Sequence, residues 1–213
     1  MAEQEEPQRV LITRDLVLEK DGVPESISAG RGLTLLNTSR ESSSTLFSLA
    51  LAGRYRHHSG EIEINGNTSL RDRFKVTALA GVPEIDGLER LVSVREVVRE
   101  QVAWASPFFS FVPKNQEKLK ANKRVEPWLE PLELYDVDFD RHVGDLNVLD
   151  RFRLRVLLAL ISRPEAEMLI VDDIDQLKQE DLRWEMLSDL RSVAKQVPVL
   201  VNTVNDTENE EDL

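Results

Sequence analysis

The sequence predicts an α/β domain built on a largely parallel sheet. Two observations carry that expectation. Runs such as "GLTLLN" (32–37), "AEMLIVDDIDQL" (166–177) and "VPVLVNT" (197–203) contain almost uninterrupted apolar stretches, as strands covered on both faces do. They alternate with long segments of helical period, and strands alternating with helices pack as a parallel sheet with crossovers.

In chain order, "RVLITRDLVLEK" (9–20) alternates apolar with polar residues and reads as one or two half-buried strands. "GLTLLN" runs into a polar turn. "STLFSLALA" (44–52) is apolar on nearly every side, which marks a buried helix, and Gly53 is placed to end it. "SGEIEINGN" (59–67) is an alternating strand closed by Asn65-Gly66, a dipeptide suited to a hairpin turn. "FKVTALAGVP" (74–83) reads as another buried strand. In "SVREVVREQVAWA" (93–105), Ser93 and Glu96 have capping-box spacing, and Val94, Val97, Val98 and Val102 form one apolar stripe. The basic stretch 114–124 reads as a solvated helix face. "VLDRFRLRVLLALISRP" (148–164) is a helix that Pro164 ends. Residues 166–177 form an apolar strand running into Asp172, Asp173 and Asp175. "EDLRWEMLSDLRSVAKQ" (180–196) is amphipathic through Leu182, Met186, Leu187, Leu190 and Val193. The acidic tail is expected to be disordered.

Composition narrows the function. The 213 residues fit one domain, and a net charge of −12 argues against nucleic acid, whose binders neutralise phosphates with Lys and Arg. With no cysteine, disulfides and thiolate metal sites are excluded. His57, His58 and His142 have no metal-ligand spacing with nearby carboxylates. The first residues are acidic where a signal peptide is basic, and no apolar run approaches the ~20 residues that cross a bilayer. A soluble, cytoplasmic protein is expected.

Three blocks, in order, resemble the ATP-binding-cassette (ABC) nucleotide-binding domain. "GLTLLNTSRESSSTLFSLALAG…SGEIEING" has the layout of strand, phosphate loop, helix and strand. "VGDLNVLDRFRLRVLLALISRPEAEMLIVDD" resembles the signature helix and the Walker B strand, and "VPVLVNTVND" resembles the strand before the switch histidine. The resemblance implies a P-loop NTPase-like cassette with a mainly parallel core sheet, an antiparallel β part and a small helical subdomain. It implies one domain over 9–206, its helical subdomain at about 93–150, flanked by an acidic extension (1–8) and an acidic tail (207–213).

The ligand positions implied by the resemblance are altered together. A working phosphate loop reads G-x-x-x-x-G-K-[ST]: glycines for close backbone approach, lysine for the terminal phosphates. Here Asn37 falls on the first glycine, Ser42 on the second and Ser43 on the lysine. Arg40 and Glu41 lie between, and Ser44 and Thr45 follow. The plain structural reading of this serine cluster is a helix N-cap. Without the lysine, charge-assisted hydrogen bonds of ~1.5–3 kcal/mol each are lost. Ser44 and Asp172 remain as candidate magnesium ligands, and Asp173 stands at the catalytic glutamate, one methylene shorter. The signature falls on Val148, Leu149, Asp150, Arg151 and Phe152, without its serine or glycines. Glu84 stands at the Q-loop glutamine and Val204 at the switch histidine. No aromatic near 15–20 is available to stack on adenine.

The expectation is therefore a degenerate, non-catalytic cassette subunit, a scaffold or regulator of a transporter-like membrane complex at the inner face of the cell membrane. No cofactor is expected, and ATP with magnesium would bind weakly at best. The implied partners are a polytopic membrane protein and a competent ABC ATPase subunit. The alternative is a working ATPase using Arg40 for the lysine and Asp173 as base; a third reading is a soluble adaptor. Arg151 and Phe152 are expected to obstruct a head-to-tail, ATP-driven homodimer. Trp104, Phe108, Phe109 and Phe111 form an aromatic cluster that reads either as subdomain core or as a docking surface for the partner.

Overall fold

Period-2 burial and two sets of covering helices decide how the strands stack. In the computed structural model, which describes residues 9–38, 44–107 and 109–204, four parallel strands lie in the order β3 (Leu33–Asn37), β7 (Val199–Thr203), β6 (Met168–Val171) and β5 (Thr77–Ala80). A second, antiparallel sheet has the order β2 (Ser28–Ala29), β1 (Leu11–Val17) and β4 (Ser59–Ile64). The α/β expectation, with parallel and antiparallel parts, holds.

Successive side chains of a strand point to opposite faces, and the parallel sheet uses both. Leu79, Met168, Ile170 and Leu200 join a core with Phe47, Ala50 and Leu51 of α1 (Ser44–Leu51) and with Leu11, Ile62 and Ile64 of the antiparallel sheet. Ala78, Ala80, Leu169, Val171, Val199 and Val201 join a larger core with α4 (Val94–Trp104), α7 (Val148–Ser162) and α8 (Glu180–Val193). The single apolar stripe on α4 and the many buried residues of α7 follow from these positions, because α7 packs against both β5 and α4. Both halves of the Ser93–Glu96 capping box are formed.

Two expectations need correction. Residues 74–76 are not strand: they complete the helix α2 (Leu70–Val76), and only Thr77–Ala80 is extended. The missed signal is Ser69, whose hydroxyl accepts from the Asp72 amide, an N-cap three residues before an acid. The Asn65-Gly66 turn does form, both residues having positive φ (46° and 81°), but it returns only as one bridge between Ile64 and Asn67 before α2 begins. Arg73 of α2 is enclosed and donates to the carbonyls of Ala50, Ile62 and Thr68, fastening α2 to α1 and β4. Three short α-helices, α3 (Pro83–Asp86), α5 (Gln116–Lys120) and α6 (Glu126–Leu129), and two 3-10 turns, Val143–Asp145 and Ile174–Gln176, complete the described set. On α5 the exposed-face reading holds only in part, because Leu119 is buried and Lys120 donates to the carbonyls of Tyr135 and Val137. No described helix is long and apolar enough to cross a membrane.

Candidate functional site

Asp172 follows the last residue of β6 and is fully buried. A buried carboxylate must be hydrogen-bonded, and this one takes its donors from two other elements. Thr45 Oγ1 donates to Oδ2 at 2.7 Å, and Ser48 Oγ donates to Oδ1 at 2.8 Å, both from α1. Asn202 of β7 directs its amide toward Oδ1 at 3.3 Å and also donates to the Ser48 hydroxyl. The result is a closed polar knot between helix and sheet. Sequence reasoning missed Ser48 and Asn202, and it named Thr45 in the loop without giving it the contact to Asp172. Ser44 was expected there, but among the described residues it is its carbonyl that is engaged, by Asn202 at 3.5 Å. The sequence held a signal for the other two, each a polar residue inside an apolar helix or strand.

Asp173 adopts a left-handed backbone (φ 46°), which Asp tolerates better than most residues. Burial, then Asp172 and Asp175, hold its carboxyl above the usual carboxylate range, against an opposing pull from Arg155. Asp175 accepts from the Thr203 hydroxyl (3.0 Å) and the Val204 amide (2.7 Å), so the Val204 backbone is tied by a carboxylate. Asn37 ends β3 opposite Thr203. Among the described residues no group of three or more His, Asp and Glu could hold a metal ion. Arg40, Ser42, Ser43 and Phe108 lie outside the described residues, as do the N-terminal extension and the acidic tail.

No protein-family model and no curated protein matches the sequence. Solved structures do. CbiO1 from Clostridium perfringens, part of the ABC transporter complex CbiONQ, aligns over 93% of this chain and 79% of its own, with a TM-score of 0.72 at 15% identity. An ABC transporter of metal-chelate type in an inward-facing conformation gives 0.69 at 16%, covering 93% and 74%. A protein described as an ABC transporter ATP-binding protein from Pyrococcus furiosus gives 0.68 at 17%, covering 93% of both chains. The chain has the ATP-binding-cassette fold.

The residues expected at the signature position, Val148 to Phe152, open α7. Asn147 caps the helix, Asp150 pairs with Arg153, and Arg151 turns back to donate to the Leu146 carbonyl at 2.7 Å. Leu149 and Phe152 are buried in the large core, so Phe152 does not project to obstruct a facing cassette, contrary to expectation. Arg151 and the half-exposed Val148 remain on that side.

The segment expected to correspond to the Q-loop is fastened too. Glu84 is exposed on α3, but Asp86 at its end accepts from the Gly81 amide at 2.7 Å and pairs with Arg155 of α7. Arg155 also donates to Gln176, and Gln176 donates to the Gly81 carbonyl at 2.6 Å. This circuit joins the end of β5, the turn after β6 and α7. Asp86, Arg155 and Gln176 were all missed by motif reading, since the pairing partners lie 69 and 21 residues apart.

The aromatic cluster is not subdomain core where it is described. Trp104, Phe109 and Phe111 are 78%, 94% and 85% exposed.

Proposed function

We propose that this chain is a non-catalytic cassette subunit, a scaffold or regulator that acts by contact with a transporter-like membrane protein. One observation carries the reading. The carboxylate in the metal-binding position of the fold, Asp172, has both oxygens engaged by Thr45, Ser48 and Asn202 in a fully buried knot. Such a carboxylate must break hydrogen bonds within its own fold before it can serve an ion. The sequence nearby supplies serines where a triphosphate needs a lysine and a glycine. If Thr45, which meets Asp172, is taken as the hydroxyl of the motif, the lysine position falls on Ser44 instead of Ser43, still without a cation. These residues do not fit magnesium-ATP.

The second half of the reading is the docking face. Exposed Trp104, Phe109 and Phe111 are apolar bulk that a soluble surface does not need, and aromatic residues are enriched where partners bind. CbiO1 is part of a transporter complex, which supports a membrane-protein partner for this chain. A competent ATPase subunit is the second proposed partner, and the site of action is the inner face of the membrane.

Thermal unfolding with magnesium and ATP tests the first half. A ligand present at 100 times its Kd raises stability by about 2.7 kcal/mol. The expected result is no change in Tm up to millimolar ATP; a rise of several degrees overturns the reading. For the second half, Trp104→Ala with Phe109→Ser is expected to abolish association with the membrane partner at unchanged Tm.

A further inference from the structure

The edge of a sheet is a row of unpaired amides and carbonyls, and a folded chain ordinarily disposes of it. Among the described residues three of the sheet edges are disposed of. On β4 the carbonyls of Gly60, Ile62 and Ile64 accept from His57, Arg73 and Asn67. On β5, which is buried throughout, the Thr77 carbonyl accepts from Arg54. Just past that strand the Gly81 amide and carbonyl meet Asp86 and Gln176. β2 is two residues long, too short to serve as a template.

The edge formed by β3 is left open. Its register with β7 runs unbroken from Leu33 to Asn37. The Val199 amide donates to the Gly32 carbonyl and the Thr38 amide to that of Thr203, each at 2.9 Å. Residues 32, 34, 36 and 38 therefore turn their backbone groups to β7, and those between them turn theirs away. Among the described residues nothing meets the outward amides and carbonyls of Leu33 and Leu35. The strand carries no charge, proline or bulge that would discourage pairing, and its side chains are partly exposed.

We propose that β3 pairs with β3 of a second copy of this chain, antiparallel about a two-fold axis at Leu35, joining the two parallel sheets edge to edge. Register and charge select this occupant. Because outward residues alternate, an axis at Leu35 makes it exchange both hydrogen bonds with its own counterpart and sets Leu33 opposite Asn37 of the second copy. Each copy has a net charge of −12, yet the segment it brings to the contact is uncharged, so no like charges meet within the strand pair. The chain's own residues after Val204 do not have the composition of a strand: they include Asp206, Glu208, Glu210, Glu211 and Asp212, and acidic residues are depleted in strands. The inference is independent of the docking reading, which concerns α4 and the aromatic segment after it.

Sedimentation equilibrium of the whole chain tests it. One strand pair falls short of the ~1,600 Å² of a standard interface, so a reversible monomer–dimer equilibrium is expected over roughly 10–300 µM chain. Raising NaCl from about 0.05 to about 0.5 M is expected to tighten it severalfold, because two copies of like charge repel until salt screens them. Leu35→Pro removes the outward amide at the axis, where an edge strand tolerates proline, and is expected to weaken the dimer about tenfold or more. Oxidation reads the register, since the chain has no cysteine. In the proposed pairing Thr34 faces Leu36 of the second copy as a non-hydrogen-bonded pair, Cα atoms about 4.5 Å apart, within the span of a disulfide. A mixture of Thr34→Cys and Leu36→Cys chains is expected to form the linked heterodimer several times faster than either variant links to itself. A chain that stays monomeric at both salt concentrations overturns the inference. So does a dimer that salt weakens, one that a folded Leu35→Pro variant retains, or one without preference for the mixed pair. Should Leu35→Pro melt far below the parent, the mixed-pair oxidation decides alone.

Discussion

The Asp172 knot and the Arg54–Arg163 pair on Phe74 are opposite solutions to one problem, how to keep charge out of water. At Asp172 a single anion is buried completely and meets hydroxyl and amide donors from two elements of its own chain. At Phe74 two cations are buried in part, meet only carbonyls and an aromatic ring, and face an apolar trough that is open to solvent and lined also by Trp104. A group satisfied from within contributes to folding. A charge left without its opposite is available for something outside. In this chain the Asp172 knot has the first character and the face proposed for docking has the second.

The sharpest way to break the knot leaves its side chains alone. Gly81, with φ of 89°, lies against the Asp172 backbone, and a Cβ there would sit 1.9 Å from the Asp172 carbonyl oxygen. Neither backbone can yield without parting β5 from β6. Gly81→Ala is expected to cost about 4 kcal/mol or more, which places it among the rare severe substitutions. Urea denaturation measures it, and a loss below ~1 kcal/mol would mean that this junction is loosely held.

Asp172→Ala comes next. It leaves two hydroxyls and an amide facing an apolar gap, and losing hydrogen bonds to a charged group costs ~1.5–3 kcal/mol each before relaxation, so a loss of about 3 kcal/mol is expected. The comparison turns on its sign. If Asp172 were instead held in readiness for a metal, at a cost to the empty protein, its removal would raise Tm. Arg155→Met tests the circuit outside the knot. Breaking one partner of a nearly buried pair is expected to cost about 2–3 kcal/mol by stranding Asp86. Faster hydrogen exchange over 81–88 would accompany it.

The fold was legible in the sequence wherever burial is two-sided. Runs such as "MLIV" and "VLVNT" read as strands because the sheet is covered by α1 on one face and by α7 and α8 on the other. It was less legible where a helix follows directly into a strand, as at Val76–Thr77, since an apolar run does not mark the change of period. For the candidate site the sequence offers only expected absences, at Ser43, Val204 and Arg151, because motif positions are fixed by spacing, and Ser43 lies outside the described residues. Its contacts were not legible. Ser48 and Asn202 reach Asp172 across 124 and 30 residues, and the Asp86–Arg155 pair spans 69. Such partners are chosen by the geometry of the packed sheet rather than by local pattern.

The smallest effect is also the most specific to this arrangement. Asp173 sits beside Asp172 and Asp175 with a raised carboxyl pKa and a left-handed backbone that Asn adopts more readily. Asp173→Asn is therefore expected to stabilise the protein at pH 7, by less than about 1 kcal/mol because solvent screens a half-exposed group. A folded pKa above the unfolded one means that the charge is tolerated less well in the folded state. The contribution of Asp173 is most favourable below its unfolded pKa and is lost as pH rises through the folded value. The advantage of the asparagine should accordingly be full at neutral pH and shrink as the pH falls through the carboxylate range, leaving only the backbone term. Paired melting curves between pH 3 and pH 7 read this directly. A gain in stability at pH 7 is what an uncompensated acid in a crowded turn gives, whether or not it serves as a base. A loss of stability at pH 7 would show that the Asp173 charge is compensated, and the description of a crowded acidic turn would fall with it.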